Sequence, residues 1–228
     1  MERTIRNIKF TASKSSGEVS GILILPKNPK FLFVFAHGAG AGMKHYFMEK
    51  VSSYLADEGI ATLRYNFPYT EKNKKSPDPA PILMETVRSA VKAALKTAGD
   101  IPILAGGKSM GGRMTSLAAS DQNKTGMEKV KGIVFFGFPL HAPGKPSNER
   151  AEHLIKVNVP MLFLQGTRDK LADLELLKPV IKKLGDKATL YIIEGADHSF
   201  HLPKSLGGND EEVLKELAKK VGEWGKDI

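Results

Sequence analysis

Three side-chain types that together make a hydroxyl nucleophilic follow one another in this chain: a serine in a glycine-rich turn, then an aspartate, then a histidine. The serine is Ser109, in "ILAGGKSMGGRM" (Ile103–Met114). A serine hydroxyl is a poor nucleophile at neutral pH. It needs a base within hydrogen-bond reach, and the base needs a carboxylate to orient it. Asp169 follows in "QGTRDKLAD" and His198 in "EGADHSFHLP", each just beyond a short apolar run. Asp173, four residues after Asp169, is read instead as a helix-start charge. Asp197 is adjacent to His198 and reads as a turn-forming side chain. His201 is the competing base, or a cover for the site packed on Phe200.

A glycine-rich turn after a strand has two common uses, to cradle phosphate or to present a nucleophile. The phosphate loop G-x-x-x-x-G-K-[ST] offers backbone N–H groups to the phosphates. With Lys108-Ser109 as the K-[ST] pair, its first glycine falls on Pro102, which has no N–H and a fixed φ. The other template, G-x-S-x-G, fits Gly107-Lys108-Ser109-Met110-Gly111. There the serine sits on a strained strand-to-helix turn, and small residues on either side relieve the crowding. This chemistry also needs donors for a tetrahedral oxyanion. The N–H of Met110, next to the serine, supplies one. The loop "FAHGAGAGMKH" supplies the other, assigned to Ala39 with Gly40 as the alternative, and His37 braces that loop.

These residues require a scaffold that delivers them from strand ends. Apolar runs read as strands at Ile5–Ala12, Val19–Leu25, Phe31–Ala36, Ile60–Tyr65, Ile101–Ala105, Gly132–Phe136, Pro160–Leu164 and Thr189–Ile193. The first two alternate more and suggest an antiparallel edge hairpin. Helices are expected at Tyr46–Glu58, Pro81–Ala98, Met110–Ser120, Leu171–Leu184 and Asp210–Glu223. Such β/α alternation implies an α/β fold, a mostly parallel sheet with helices on both faces. Two Pro- and Gly-rich stretches, Asn66–Pro81 and Gly137–His153, follow strands. Loops at the carboxyl ends of strands surround the ligand site in such sheets.

The bulk numbers narrow the choices. The chain has 228 residues, 41% hydrophobic and 26% charged, with no cysteine. A single domain spanning 1–228 is expected. No apolar run approaches a membrane span, and "MERTIRNIKF" lacks the apolar stretch of a signal peptide. Without cysteine there is no disulfide and no thiolate site, which fits a cytoplasmic protein. The net charge of +9 comes from lysines spread along the chain. They read as a solvated surface without the aromatic platform that nucleic acid requires. No cofactor or metal is expected, since the histidines show no H-E-x-x-H spacing.

Taken together, "AHGAG", "GGKSMGGR", "FGFPLH", "LQGTRD" and "GADHSF" give the chain a clear resemblance to the α/β-hydrolase superfamily. Within it, the chain is similar to the small dienelactone-hydrolase-like branch, over roughly Gly21 to Trp224. The resemblance implies an eight-stranded sheet, a nucleophile at Ser109, an acid at Asp169 and a base at His198. Dienelactone hydrolases carry cysteine at the elbow, so their lactone substrate is not carried over to Ser109.

The function expected is hydrolysis of a small-molecule acyl substrate, an ester or thioester, through an acyl-enzyme. Two alternatives stand beside it: a serine peptidase for short peptides, and a non-catalytic interaction module, since some animal relatives of this branch are chromatin-complex subunits. No nucleic-acid or membrane partner is expected, and a homo-oligomer is left open. The Phe136–Pro160 connection is too short for a large cap domain, so the pocket should be shallow. Its expected walls are Arg64–Tyr69, Phe138–His141 and Phe200–Leu202. Arg64, Phe67, Phe138 and Arg168 are the candidate substrate contacts, the arginines for an anionic group. Lys108 has no assigned role.

Overall fold

The computed structural model describes residues 2–228 apart from 124, 204 and 206. Among these residues eight strands form: β1 (Arg3–Ser13), β2 (Gly17–Pro26), β3 (Phe31–Ala36), β4 (Ile60–Tyr65), β5 (Ile103–Lys108), β6 (Val130–Phe136), β7 (Met161–Gly166) and β8 (Ala188–Ile193). They make one sheet in the order β1-β2-β4-β3-β5-β6-β7-β8. β1 and β2 are the antiparallel edge hairpin, and β2 also runs antiparallel to β4. From β4 to β8 every neighbouring pair is parallel.

Among the described residues six α-helices accompany the strands: α1 (Tyr46–Asp57), α2 (Pro68–Glu71), α3 (Ala80–Ala98), α4 (Met110–Ser120), α5 (Leu174–Leu184) and α6 (Asp210–Trp224). The twofold alternation of β3 sorts them into two layers. Phe33 and Phe35 bury against Phe47, Val51 and Leu55 of α1 and Leu214, Leu217 and Val221 of α6. Leu32 and Val34 bury on the opposite face, with Val87 and Val91 of α3, Met114 of α4 and Leu177 of α5. Both faces of the central strands are therefore covered, which is why they read as unbroken apolar runs. No described helix is long and apolar enough to cross a membrane.

The structure corrects two sequence boundaries. The strand expected at Ile101–Ala105 starts at Ile103 and runs through Gly106 and Gly107 to Lys108. These glycines are paired in register with Phe35 and Ala36 of β3. In sequence they looked like the turn itself. The helix expected from Leu171 begins at Leu174, capped by Asp173, whose side chain accepts from the Glu175 N–H. Leu171 and Ala172 belong to the turn that follows β7, in which the Ala172 N–H donates to the Asp169 carbonyl. Between β6 and β7 lies one short 3-10 helix, Glu149–Lys156, and no large cap.

Candidate active site

β5 ends at Lys108 and α4 begins at Met110, so Ser109 alone reverses the chain. Its φ is +50° and its ψ −117°. A residue with a side chain holds such angles only when its surroundings enforce them. The Ser109 N–H donates to the Phe136 carbonyl at 3.1 Å, fixing the turn to β6. The flanking glycines make the turn possible. A Cβ on Gly107 or on Gly111 would stand 2.4 Å from the Ala36 carbonyl oxygen.

Asp169 follows β7 and His198 follows β8, as the parallel order requires. The three side chains meet. His198 Nε2 is 2.8 Å from Ser109 Oγ, and His198 Nδ1 is 2.7 Å from Asp169 Oδ2. The Asp169 carboxylate is 1% exposed and the His198 side chain 23%. The acid is thus enclosed while the imidazole stays within reach of the cavity. Asp169 accepts two further hydrogen bonds, from Gln165 Nε2 to Oδ2 at 2.5 Å and from the Leu171 N–H to Oδ1 at 2.8 Å. Gln165 in turn accepts from the Phe138 N–H. Gln165 lay in the quoted "LQGTRD" segment, yet its sequence carried no signal for this role. Asp197 accepts from the N–H groups of Ser199 and His201 and, among the described residues, makes no hydrogen bond to the imidazole. His201 pairs with Asp210.

Burial is the main force on the His198 titration and lowers its pKa. The Asp169 hydrogen bond opposes that shift, and the Lys108 charge adds to it. The lowered pKa favours the neutral imidazole, the form that can accept a proton.

On the opposite side of Ser109 runs the loop after β3. A Cβ on Gly38 would lie 3.7 Å from the Ser109 Cβ. Among the described residues, neither the Ala39 nor the Met110 N–H donates to a protein backbone acceptor. His37 braces this loop. Its Nδ1–H donates to the Gly38 carbonyl at 2.8 Å, and its Nε2 accepts from the Phe67 N–H at 3.1 Å.

Burial lowers the His37 pKa from 6.5 to about 4. The unfolded chain takes up this proton below pH 6.5 while the folded chain resists it. Stability is therefore full above the unfolded value and falls as the pH drops toward the folded one. His37 is expected to cost about 2 kcal/mol of stability between pH 7 and pH 5, read as a lower urea midpoint. The slope should diminish in His37→Gln. His153, likewise lowered to about 4 mainly by burial, adds a loss of the same sign.

A cavity of about 490 Å³ opens over Ser109, lined by Ala39, Tyr46, Phe47, Lys108, Leu171, His198, Phe200 and Leu214 among others. The expected walls at Arg64–Tyr69 and Phe138–His141 are not part of it. Arg64 is buried on β4 and pairs with Glu49 at 3.5 Å. Phe67 is fully buried, packed on His37 and Tyr65. Phe138 is fully buried against Phe135 and Phe163. Arg168 is exposed beside a separate surface pocket with His141 and Asp173. None of the four lines the cavity over Ser109, because the two aromatics complete the core and the arginines point elsewhere. The start of α1, His45–Met48, supplies the wall instead. Among the described residues no three metal-binding side chains gather.

Comparison with known proteins agrees with this architecture. The family described as "Alpha/beta hydrolase domain" matches residues 29–226. Two proteins from strains of Mycobacterium tuberculosis, both named "Putative phosphoribosyl transferase", are 28% identical over 211 residues. The match covers 90% of this chain but 43% of each relative, so the chain spans less than half of their length. Among solved structures, a dienelactone hydrolase from Anabaena variabilis superposes with a TM-score of 0.76 at 19% identity, covering 100% of this chain and 99% of the other. An alpha-beta serine hydrolase homologue from Coxiella burnetii gives 0.74 at 18% identity, covering 94% and 96%. An esterase domain from Rhodothermus marinus gives 0.72 at 16%, covering 98% of both chains. At such identities these likenesses speak for the fold. With the family match across most of its length, the chain belongs to the α/β-hydrolase superfamily and has a dienelactone-hydrolase-like architecture.

Proposed function

We propose that this protein is a serine hydrolase of small carboxylic esters or thioesters, acting through an acyl-enzyme. The observation that supports this best is the unbroken hydrogen-bond chain from Ser109 Oγ through His198 to Asp169, set in the wall of a largely apolar cavity. In this reading His198 Nε2 takes the proton as Ser109 Oγ attacks the carbonyl carbon. The tetrahedral oxyanion rests on the N–H groups of Met110 and Ala39. His198 then protonates the leaving alcohol or thiol, and a water molecule repeats the sequence to release the acid. Asp169 keeps the Nδ1–H tautomer, so that Nε2 is the acceptor.

Tyr46, Phe47, Leu171, Phe200 and Leu214 form a wall suited to an apolar acyl or alkyl group. Among the described residues the cavity's one carboxylate is Asp210, which is already engaged by His201 Nδ1 and the Leu202 N–H. That favours esters over peptides. The transferase name of the mycobacterial relatives brings no second reading, because it describes proteins of which this chain matches only 43%.

A panel of p-nitrophenyl esters from acetate to octanoate, run beside aminoacyl p-nitroanilides, tests the reading. The esters should be turned over and the anilides left intact. Activity should fall as His198 becomes protonated, with the acidic midpoint below the ordinary imidazole value of 6.5. Preference for the anilides would contradict the proposal.

A further inference from the structure

Lys108 directly precedes Ser109 and lines the cavity. Its Nζ donates to the carbonyl oxygen of His198 at 2.5 Å, across 90 residues of chain. The ammonium lies 5.7 Å from the centre of the Phe47 ring and 5.4 Å from that of Phe200. Gly137, beyond β6, closes the enclosure. A Cβ there would stand 3.1 Å from Lys108 Nζ and 3.4 Å from the His198 ring. The residue as a whole is only half-buried, but its charged end is enclosed with the imidazole. Burying an ammonium is costly unless its bonds offset the lost hydration.

Resting on the triad reading above, we propose that Lys108 is a positioning residue, the tether that holds the His198 loop against the nucleophile elbow so that the imidazole bridges Ser109 and Asp169. The bond joins the residue before the nucleophile to the backbone of the base itself. One side chain therefore sets the spacing between them. The two aromatic rings hold the ammonium from α1 and from the His198 loop, and favour its cationic form.

The tether also brings a charge. Lys108 opposes protonation of His198, whereas Asp169 and Asp197 favour it. Other titratable groups around the enclosure are His45 and Tyr46 from the start of α1, and His201 with Asp210, which pair with each other. Burial lowers the Lys108 pKa to about 8, with Asp169 and Asp197 pulling the other way. Above that pH the cation is lost and the hydrogen bond becomes one from a neutral amine.

The test is the rate of fluorophosphonate labelling against pH in wild type and in Lys108→Met, which keeps the apolar stem. Labelling in the variant should slow about 10- to 100-fold. Its acidic midpoint should move to higher pH, because His198 no longer feels the cation. Wild type should show a second change near pH 8 that the variant lacks. A lysine acting through its charge alone would move the midpoint without slowing the labelling plateau, and one serving only the fold would alter thermal stability and neither of these. A folded Lys108→Met with unchanged rate and unchanged midpoint overturns the proposal. If the variant does not fold, Lys108→Gln, which keeps an N–H donor without the charge, replaces it: slowed labelling with a raised acidic midpoint supports the tether, and unchanged rate and midpoint overturn it. Wild type that resists labelling at every pH removes the serine-hydrolase reading, and this proposal with it. Labelled wild type beside an indifferent variant removes only the role of Lys108.

Discussion

Replacing Ser109 with alanine is expected to lower kcat/KM for ester hydrolysis by about four to six orders of magnitude. The change removes the proposed attacking oxygen and nothing else of consequence. Among the described residues, Ser109 Oγ makes its side-chain hydrogen bond to His198 alone. The backbone bond from the Ser109 N–H to Phe136 survives, as does the strained turn, whose φ of +50° alanine inherits. The urea midpoint should therefore stay close to wild type. In the proposed mechanism, residual turnover from the Met110 and Ala39 N–H groups acting on bound ester and water sets the floor. Hydrolysis in Ser109→Ala at a rate near wild type would show that another group attacks. A large fall in stability would show that the serine serves the fold instead.

The second large effect concerns the buried carboxylate. In Asp169 both oxygens accept: Oδ2 from His198 Nδ1 and Gln165 Nε2, and Oδ1 from the Leu171 N–H. An asparagine in its place would keep one acceptor and add an NH2 donor. With its NH2 toward Leu171, a donor meets a donor. With its NH2 toward His198, the imidazole must become an acceptor at Nδ1 and carry its proton on Nε2. That tautomer cannot take the Ser109 proton. We expect Asp169→Asn to lose about 10⁴-fold in kcat, with little change in KM. The unmatched buried donor should also cost about 1–3 kcal/mol of stability. Kinetics and urea unfolding on the same preparation separate the two losses. A tenfold loss or less in a well-folded variant would mean that Asp169 does not orient the base.

The positions of Ser109, Asp169 and His198 were legible because their signals are local. A glycine two residues on each side of a serine, or an acid or histidine just past a strand, needs no knowledge of distant chain. The eight strands were legible for the same reason. The apolar runs of the central strands reflect burial on both faces, whereas β1 and β8, at the edges, are exposed or half-buried over most of their length. The C-terminal half of β5 was not, because Gly106 and Gly107 serve both the strand and the tight turn, and composition favours the turn.

The cavity wall was the least legible part. Residues at strand ends face either the cavity or the core, and Phe67 and Phe138 turned inward to pack on His37 and on Phe135. Phe200 and His201 line the cavity as expected, but much of the remaining wall comes from "HYFM" at the start of α1, which looks like any helix entry until the sheet order brings it over Ser109. Lys108 and Gln165 escaped assignment for a related reason. The partner of Lys108, the His198 carbonyl, lies 90 residues away. The meaning of Gln165 depends on the buried carboxylate four residues on, whose orientation only the fold provides.

The most direct test of the account is to label the wild-type protein with a fluorophosphonate at pH 7.5 and locate the adduct by intact mass and peptide mapping. The account predicts one adduct per chain, on the peptide bearing Ser109 and on that residue. It also predicts no adduct in Ser109→Ala or His198→Ala. No adduct under conditions that label a control esterase, or an adduct on a different residue, would contradict it.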